Sequence, residues 1–316
     1  MPKINLSFVL RILSALPLFV LGSGQPIQAT QNINTRLVQK SLVYLFQAAP
    51  VGNADQKTSF GTGFLVRIPL RSNPNAGYIV LVTARHIVDP AWDHCPEIEP
   101  QDIFVRFNKK AYDHTTDESG VVYANVQLSA HGVPAWRHPV EEDADVAVVL
   151  LDAKELYEKT DADAGAIPIS DFATDEEAKL RGATDPVDSV GLLPPNPEIK
   201  RNYPVWKFGY ISSEPDEPVP SQCASNGVPT FLRLWLLSIN LIPGNSGSPI
   251  FYVPEGANGA SFGDGRTSLI GLQSVSYLGA DISGMTPVRY IFEAIQSLNL
   301  QDADLYRGPL QNKTPK

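Results

Sequence analysis

Long hydrophobic runs and a surplus of positive charge are both missing from this chain, and each absence removes a class of function. Its 316 residues carry 25 Lys and Arg against 34 Asp and Glu, a formal net charge of −9. That balance does not suit a phosphate backbone, so nucleic acid is not expected as a partner; a basic membrane-binding face is not expected either. The apolar stretch Ile12–Leu21 is too short to cross a bilayer. Cysteine is scarce. Cys95 and Cys223 allow one disulfide at most, and only if their Cα atoms come within about 7 Å, which sequence leaves open. The run "DHC" at 93–95 has no second ligand pair at zinc spacing. "DADAG" at 161–165 lacks the third carboxylate and the late Glu of a calcium loop. No metal or other cofactor is therefore expected. Internal repeats and low-complexity blocks are absent as well.

What is present begins at the N-terminus. Lys3 and Arg11 precede the apolar run, no acid occurs before residue 54, and Gly22, Gly24 and Pro26 break the run. Ile27-Gln28-Ala29 resembles a small-residue cleavage site. Residues 1–29 read as a secretory signal peptide cut after Ala29, with an uncleaved signal anchor as the alternative. The expected address is periplasmic or extracellular, with no stable membrane insertion after cleavage.

Glycine (23) and proline (27) are plentiful and apolar runs are short, which favours strands and turns over long helices. Strand-like runs rich in Val, Ile, Tyr and Phe occupy 41–47, 61–70, 77–88, 102–108, 120–129 and 145–152. A second series occupies 165–170, 185–193, 204–212, 230–239, 246–253 and 268–278. The expectation is an all-β protein of two antiparallel six-stranded barrels. The first covers 30–152, the second falls within 166–300, and the charged segment 153–165 links them. Near the end the period changes. Thr286 can cap a helix with Pro287 at its first position, and Val288, Ile291, Phe292 and Ile295 form one apolar face. A polar tail is expected over 301–316, with "NKT" at 312–314 matching a glycosylation pattern of low specificity.

Acyl transfer by serine needs a nucleophile, a base, a group that orients the base, and donors for the oxyanion. Candidates for all four are present. Of the histidines at 86, 94, 114, 131 and 138, only His86 ends an apolar strand, "YIVLVTA", a rigid place from which to aim an imidazole. Asp145 directly precedes the apolar run "VAVVLL", at the mouth of a buried strand where a bond to an imidazole N–H is strong. Asp143, two residues earlier, is the fallback. In "IPGNSGSPIF" (242–251), Gly244 and Gly247 flank Ser246 and permit a sharp bend. Such a bend can present the hydroxyl beside converging N–H groups, with those of Gly244 and Ser246 as the oxyanion donors.

Four segments together, "GTGFLV" (61–66), "VTARHIVD" (82–89), "DVAVVLL" (145–151) and "GNSGSPIF" (244–251), resemble the trypsin-like serine peptidases of the two-barrel chymotrypsin fold. The style is that of bacterial secreted members of the HtrA or glutamyl-endopeptidase kind. The resemblance covers roughly residues 35–300, with the chain order His, Asp, Ser. It implies a cleft between barrels, Ser246 attacking, His86 moving the proton and Asp145 fixing the imidazole. Departures refine it. Digestive relatives have Asp before the serine, to pair with a newly cut N-terminus. Asn245 stands here, so activation by N-terminal insertion is not expected. Only the helix and about twenty residues follow the last expected strand, so no PDZ domain is expected. By the family pattern, Asn240 lies at the base of the S1 pocket. Segment 272–277 forms one wall, with Ser274, Val275 and Ser276 as pocket-side residues pairing with protein or peptide substrates. Without Asp at 240 or any histidine after 138, the resemblance implies a neutral pocket for a small or medium apolar side chain. The expected function is a secreted serine endopeptidase. The alternatives are a non-catalytic peptide-binding protein retaining the fold, and a narrow processing protease whose loops at 89–101, 110–119 and 214–222 restrict the cleft.

Overall fold

The computed structural model describes residues 34–48, 57–93, 100, 102–117, 119–194, 199–222, 229–240, 242, 244–254, 266–277 and 280–308. The signal-peptide segment, His94, Cys95, Cys223 and the 312–314 motif lie outside the described residues.

The described residues fold into two large β-sheets and two two-stranded ribbons, Val219–Gln222 with Pro229–Leu232 and Ser129–Ala130 with Val133–Pro134, with few helices. After a helix α1 (Thr35–Ser41), the first sheet is built from β1 (Leu42–Ala48), β2 (Lys57–Pro69), β3 (Gly77–Thr83), β4 (Asp102–Asn108), β5 (Val121–Gln127), β6 (Trp136–Arg137) and β7 (Ala147–Leu151). A short helix α2 (Arg85–Val88) follows β3. The spatial order is β5-β4-β1-β2-β3-β7-β6, antiparallel throughout. The burial of each strand follows its place in that order. β3 lies between β2 and β7, and its residues Ile79–Thr83 are buried without interruption. β5 is an edge strand whose Tyr123, Asn125 and Gln127 face outward, an alternation proper to a sheet covered on one side. Among the described residues this sheet stays open, with β5 and β6 as its edges. β6 is only two residues long and offers few backbone groups for closure.

The second sheet closes. β9 (Pro186–Leu192), β10 (Pro204–Ser213), β11 (Trp235–Ser238), β12 (Pro249–Tyr252), β13 (Ser268–Tyr277) and β14 (Ile282–Pro287) form a barrel in the order β9-β10-β11-β14-β13-β12. Its sixth strand is not the expected segment 165–170. Within that segment, β8 (Ile167–Pro168) instead pairs in parallel with Val66 and Arg67 of β2, as an eighth strand of the first sheet. The sequence of β14, ISGMTP, has little β-character of its own; hydrogen-bonded partners on both sides, β11 and β13, hold it extended.

Helices α3 (Ala153–Glu158) and α4 (Asp175–Lys179) fill the connection between the sheets. Helix α5 (Val288–Gln296) packs against β7 of one sheet and β13 of the other, burying Val288, Tyr290, Ile291, Ala294 and Ile295. Pro287, not Thr286, occupies its N-cap position. Thr286 belongs to β14 and its hydroxyl is spent elsewhere, on Ser274 Oγ and the Asp145 carbonyl oxygen. The segment read as a polar tail is tied down over 301–308. Ala303 bridges Leu70, and Tyr78 donates to the Gln301 carbonyl oxygen at 2.9 Å. Polar contacts also bind sheet to sheet. Asn108 Nδ2 donates to the Asn202 carbonyl oxygen at 3.1 Å, the Asn202 N–H returns to Asn108 Oδ1 at 2.7 Å, and the Tyr44 hydroxyl donates to the Leu193 carbonyl oxygen.

Candidate active site

His86 stands in the first turn after β3, held in place by its neighbour. Arg85 is almost fully buried, donates from Nε to Asp89 Oδ2 at 3.0 Å and from a terminal nitrogen to Glu142 Oε2 at 2.8 Å, and lies 4.8 Å from the Trp92 ring centroid. This fastens α2 to the segment that leads into β7. Asp145, on that segment, is completely buried and faces His86 twice. Its Oδ1 accepts the His86 backbone N–H at 3.1 Å, and its Oδ2 lies 2.9 Å from His86 Nδ1. The imidazole itself is a quarter exposed.

Burial opposes the charge on Asp145, but attraction to the His86 ring, hydrogen bonds from His86 and, last, the Ser274 hydroxyl outweigh it. Together they hold the carboxyl below the usual aspartate range. Asp143 takes no part in this. Its Oδ2 accepts from Arg233 Nε at 3.0 Å.

The loop bearing Ser246 crosses from the barrel to the first sheet. Gly244 and Gly247 both have φ +88°, a conformation that a Cβ would strain. At Gly247 a Cβ would also collide with the Thr62 carbonyl oxygen and stand 2.6 Å from Thr83 Oγ1. This close approach docks the loop on the strand end that leads to His86. The Thr62 N–H donates to the Ser246 carbonyl oxygen at 2.9 Å, Thr62 Oγ1 donates to the Gly244 carbonyl oxygen at 2.8 Å, and Thr83 Oγ1 donates to the Thr62 carbonyl oxygen at 2.8 Å. On the barrel side, the Gly247 N–H donates to the Gln273 carbonyl oxygen at 2.7 Å. The Ser246 hydroxyl lies 3.4 Å from the Ser274 carbonyl oxygen. Among the described residues, the N–H groups of Gly244 and Ser246 donate to no backbone acceptor, the state required of oxyanion donors.

Asn245 is buried and packs onto Gly191, where a Cβ would stand 2.5 Å from its Nδ2; its Oδ1 accepts the Leu192 N–H at 3.2 Å. The loop is thus anchored to β9 by a neutral amide.

The expected pocket residues fare differently. Ser274 is 4% exposed, and its hydroxyl is bonded to Thr286 Oγ1. Val275 and Ser276 are partly buried, opposite Gly284 and Ser283 on β14. Asn240 is exposed, and its carbonyl oxygen accepts from Lys207 Nζ at 2.9 Å. Thr62, Thr83 and the contact between Ser274 and Thr286 were not assigned from sequence. "GTGFLV" had marked the first of these only as part of a motif. Among the described residues, no group of three His, Cys, Asp or Glu side chains is disposed to hold a metal ion.

No protein-family model and no curated protein matches the chain. Solved structures do. The Rv3671c protease from M. tuberculosis in its active form is 13% identical, covering 94% of this chain and 99% of that chain at a TM-score of 0.45. Its inactive form is 11% identical over 86% of this chain and 95% of that chain, at a TM-score of 0.44. An inactive mutant of Rv3671c from M. tuberculosis H37Rv is 12% identical over 88% and 95%, at 0.43. What the present site can do follows from its own geometry.

Proposed function

We propose that this chain is a serine endopeptidase in which Ser246 is the nucleophile, His86 the general base and acid, and Asp145 the residue that orients the imidazole. The single observation that carries the reading is the buried Asp145 carboxylate, 2.9 Å from His86 Nδ1 and also bound to the His86 N–H, beside a loop that holds Ser246 against the same strand end. A proton kept on Nδ1 by that carboxylate leaves Nε2 as a lone-pair acceptor.

In the first half-reaction Ser246 Oγ bonds to the scissile carbonyl carbon while its proton passes to His86 Nε2. The carbonyl oxygen becomes an oxyanion, received by the N–H groups of Gly244 and Ser246. Collapse breaks the C–N bond, and the imidazolium returns the proton to the leaving amine. Water then repeats the sequence on the acyl-enzyme, releasing the acid and restoring Ser246. Asp145 stays ionised throughout and stabilises the imidazolium. Asn245 supports the reading from another direction. Its contact with β9 fixes the loop without a charged N-terminus, consistent with competence that needs no trypsin-style activation.

The proposed substrates are proteins or peptides, and the proposed address is periplasmic or extracellular after removal of residues 1–29. The test is labelling of the purified protein by a fluorophosphonate probe beside Ser246→Ala. Labelling of the wild type alone is expected. No labelling at neutral pH would overturn the enzymatic reading in favour of a binding protein, and equal labelling of both would overturn the assignment of Ser246.

A further inference from the structure

The second barrel is apolar through its middle, where Val187, Ile211, Leu237, Ile250 and Leu272 are buried, but polar at the end covered by the Ser246 loop. A lysine stands at that end. Lys207 of β10 pairs directly with Ser189 of β9, and paired residues share a face of the sheet. The same face of β9 carries fully buried Val187 two residues back, and Gly191, with the Asn245 side chain upon it, two residues on. The opposite face carries Phe208, 73% exposed. Lys207 therefore points inward.

The Ser246 loop brackets it. Lys207 Nζ donates to the carbonyl oxygen of Asn240, where the loop leaves the barrel. Asn245 rests on Gly191, about 7 Å along β9 from the residue that Lys207 faces. Among the described residues no carboxylate lies within ion-pair distance of this ammonium. Burial pushes its pKa down, as expected of a cation that has shed water without gaining a counter-charge. Two neutral polar groups at this end are short of partners among the described residues. The Ser189 hydroxyl, fully buried, has none. Gln273, 1% exposed, has none at Oε1, while its Nε2 lies 3.4 Å from Ser276 Oγ. The backbone of Gln273 is already joined to Gly247, next to the nucleophile.

A partly desolvated cation with no carboxylate partner among the described residues, at the barrel end that the serine loop covers, is the electrostatic complement of a carboxylate brought by the substrate. We propose that Lys207 is a specificity-determining residue that selects substrates with Glu or Asp on the acyl side of the scissile bond. The inference rests on the peptidase reading above. It replaces the neutral pocket expected from sequence, which drew only on Asn240 and the 272–277 segment. Lys207 reaches Asn240 from 33 residues earlier in the chain.

The experiment uses peptide substrates matched except at that one position, Glu against Gln and Asp against Asn, with Leu and Lys as references. Fluorophosphonate labelling runs in parallel. For the wild type, kcat/KM for Glu should exceed that for Gln by about 10–100-fold, the scale of a charge-assisted hydrogen bond. Lys207→Met should bring the Glu-to-Gln ratio near 1, and Lys207→Glu should shift preference toward Lys. A wild type that labels and cleaves with a ratio near 1 overturns the Lys207 inference while leaving Ser246 in its role. A Glu preference that survives Lys207→Met also overturns it. A wild type that neither labels nor cleaves overturns the peptidase reading itself. If the Lys207 variants fail to fold, the wild-type Glu/Gln pair still decides.

Discussion

Replacing Asp145 by Asn changes one atom type and tests the core of the site. The carboxylate accepts from two donors, both on His86: the backbone N–H at 3.1 Å and Nδ1 at 2.9 Å. An amide has one acceptor oxygen and an NH2 that can only donate. If the oxygen stays toward Nδ1, the NH2 opposes the backbone N–H, and two donors face each other in a buried space. If the amide turns over, the NH2 faces Nδ1. The backbone N–H cannot give up its proton, whereas an imidazole can change tautomer, so the second arrangement wins. It moves the ring proton to Nε2, the nitrogen that must accept the proton of Ser246. A loss of about 10³–10⁴ in kcat/KM is expected, or about 4–5.5 kcal/mol of transition-state stabilisation. Folding should change by less than about 2 kcal/mol, because lost charge-assisted bonds are offset by a smaller desolvation cost. Steady-state peptide hydrolysis with a parallel thermal melt checks both numbers. Asp143→Asn is the control. Its partly exposed pair with Arg233 is worth about 1 kcal/mol or less, and kcat/KM should fall by less than about fivefold. A kcat/KM for Asp145→Asn within tenfold of the wild type would refute the reasoning, as would a larger loss for Asp143→Asn.

Three further outcomes are expected. Gly247→Ala should cost roughly 2–5 kcal/mol in a urea melt, from the positive φ and the collision with Thr62, and a change under 0.5 kcal/mol would contradict the docking described above. Asn245→Ala leaves the Leu192 N–H without its acceptor, so stability should drop by about 1–3 kcal/mol and kcat should fall more than KM changes. Titration separates two acids of opposite sign. Asp188 has its pKa pushed up to about 6 by burial, so the fold favours its protonated form and loses stability as pH rises from about 4 to about 6. Asp145 is held below the usual range, so its contribution is present above that range and lost as pH falls beneath it. Melts across pH 3–7 should show Asp188→Asn removing the first slope and Asp145→Asn flattening the second; unchanged slopes would count against these environments.

The three residues proposed for chemistry could be read in the sequence because each sits where a regular element stops. His86 follows an apolar strand, Asp145 precedes one, and Ser246 stands between glycines whose conformation marks a bend. Their supporting groups carry no such local mark. Thr62 is one polar residue in a strand, and only the arrival of Gly247 against its carbonyl oxygen gives it a task. Ser274 lies 28 residues from Ser246, yet its carbonyl oxygen stands 3.4 Å from the Ser246 hydroxyl and its own hydroxyl is bonded to Thr286. In "PVWKFGYIS" a period of two is visible, but periodicity does not say which face is inward. Hydrophobicity alone would put the aromatic residues Phe208 and Tyr210 in the interior, yet they are exposed at 73% and 49%. A one-residue change of register exchanges the faces of a strand, and pairing with β9 puts Lys207 inside.

By itself, then, the sequence determined an all-β chain, the approximate positions of most strands, the chemical identity of the candidate nucleophile, base and orienting acid, and the neutral residue beside the serine. These are local properties, written in alternation, composition and turn residues. Tertiary structure alone decided that the second sheet closes through 282–287 and not through 165–170. It also set the distances that join Asp145 to His86 while Asp143 turns to Arg233, and it brought Lys207 to the Asn240 carbonyl oxygen. Each of these depends on which distant strands become neighbours, and that choice is made by the free energy of the whole packed core, not by any short stretch of chain.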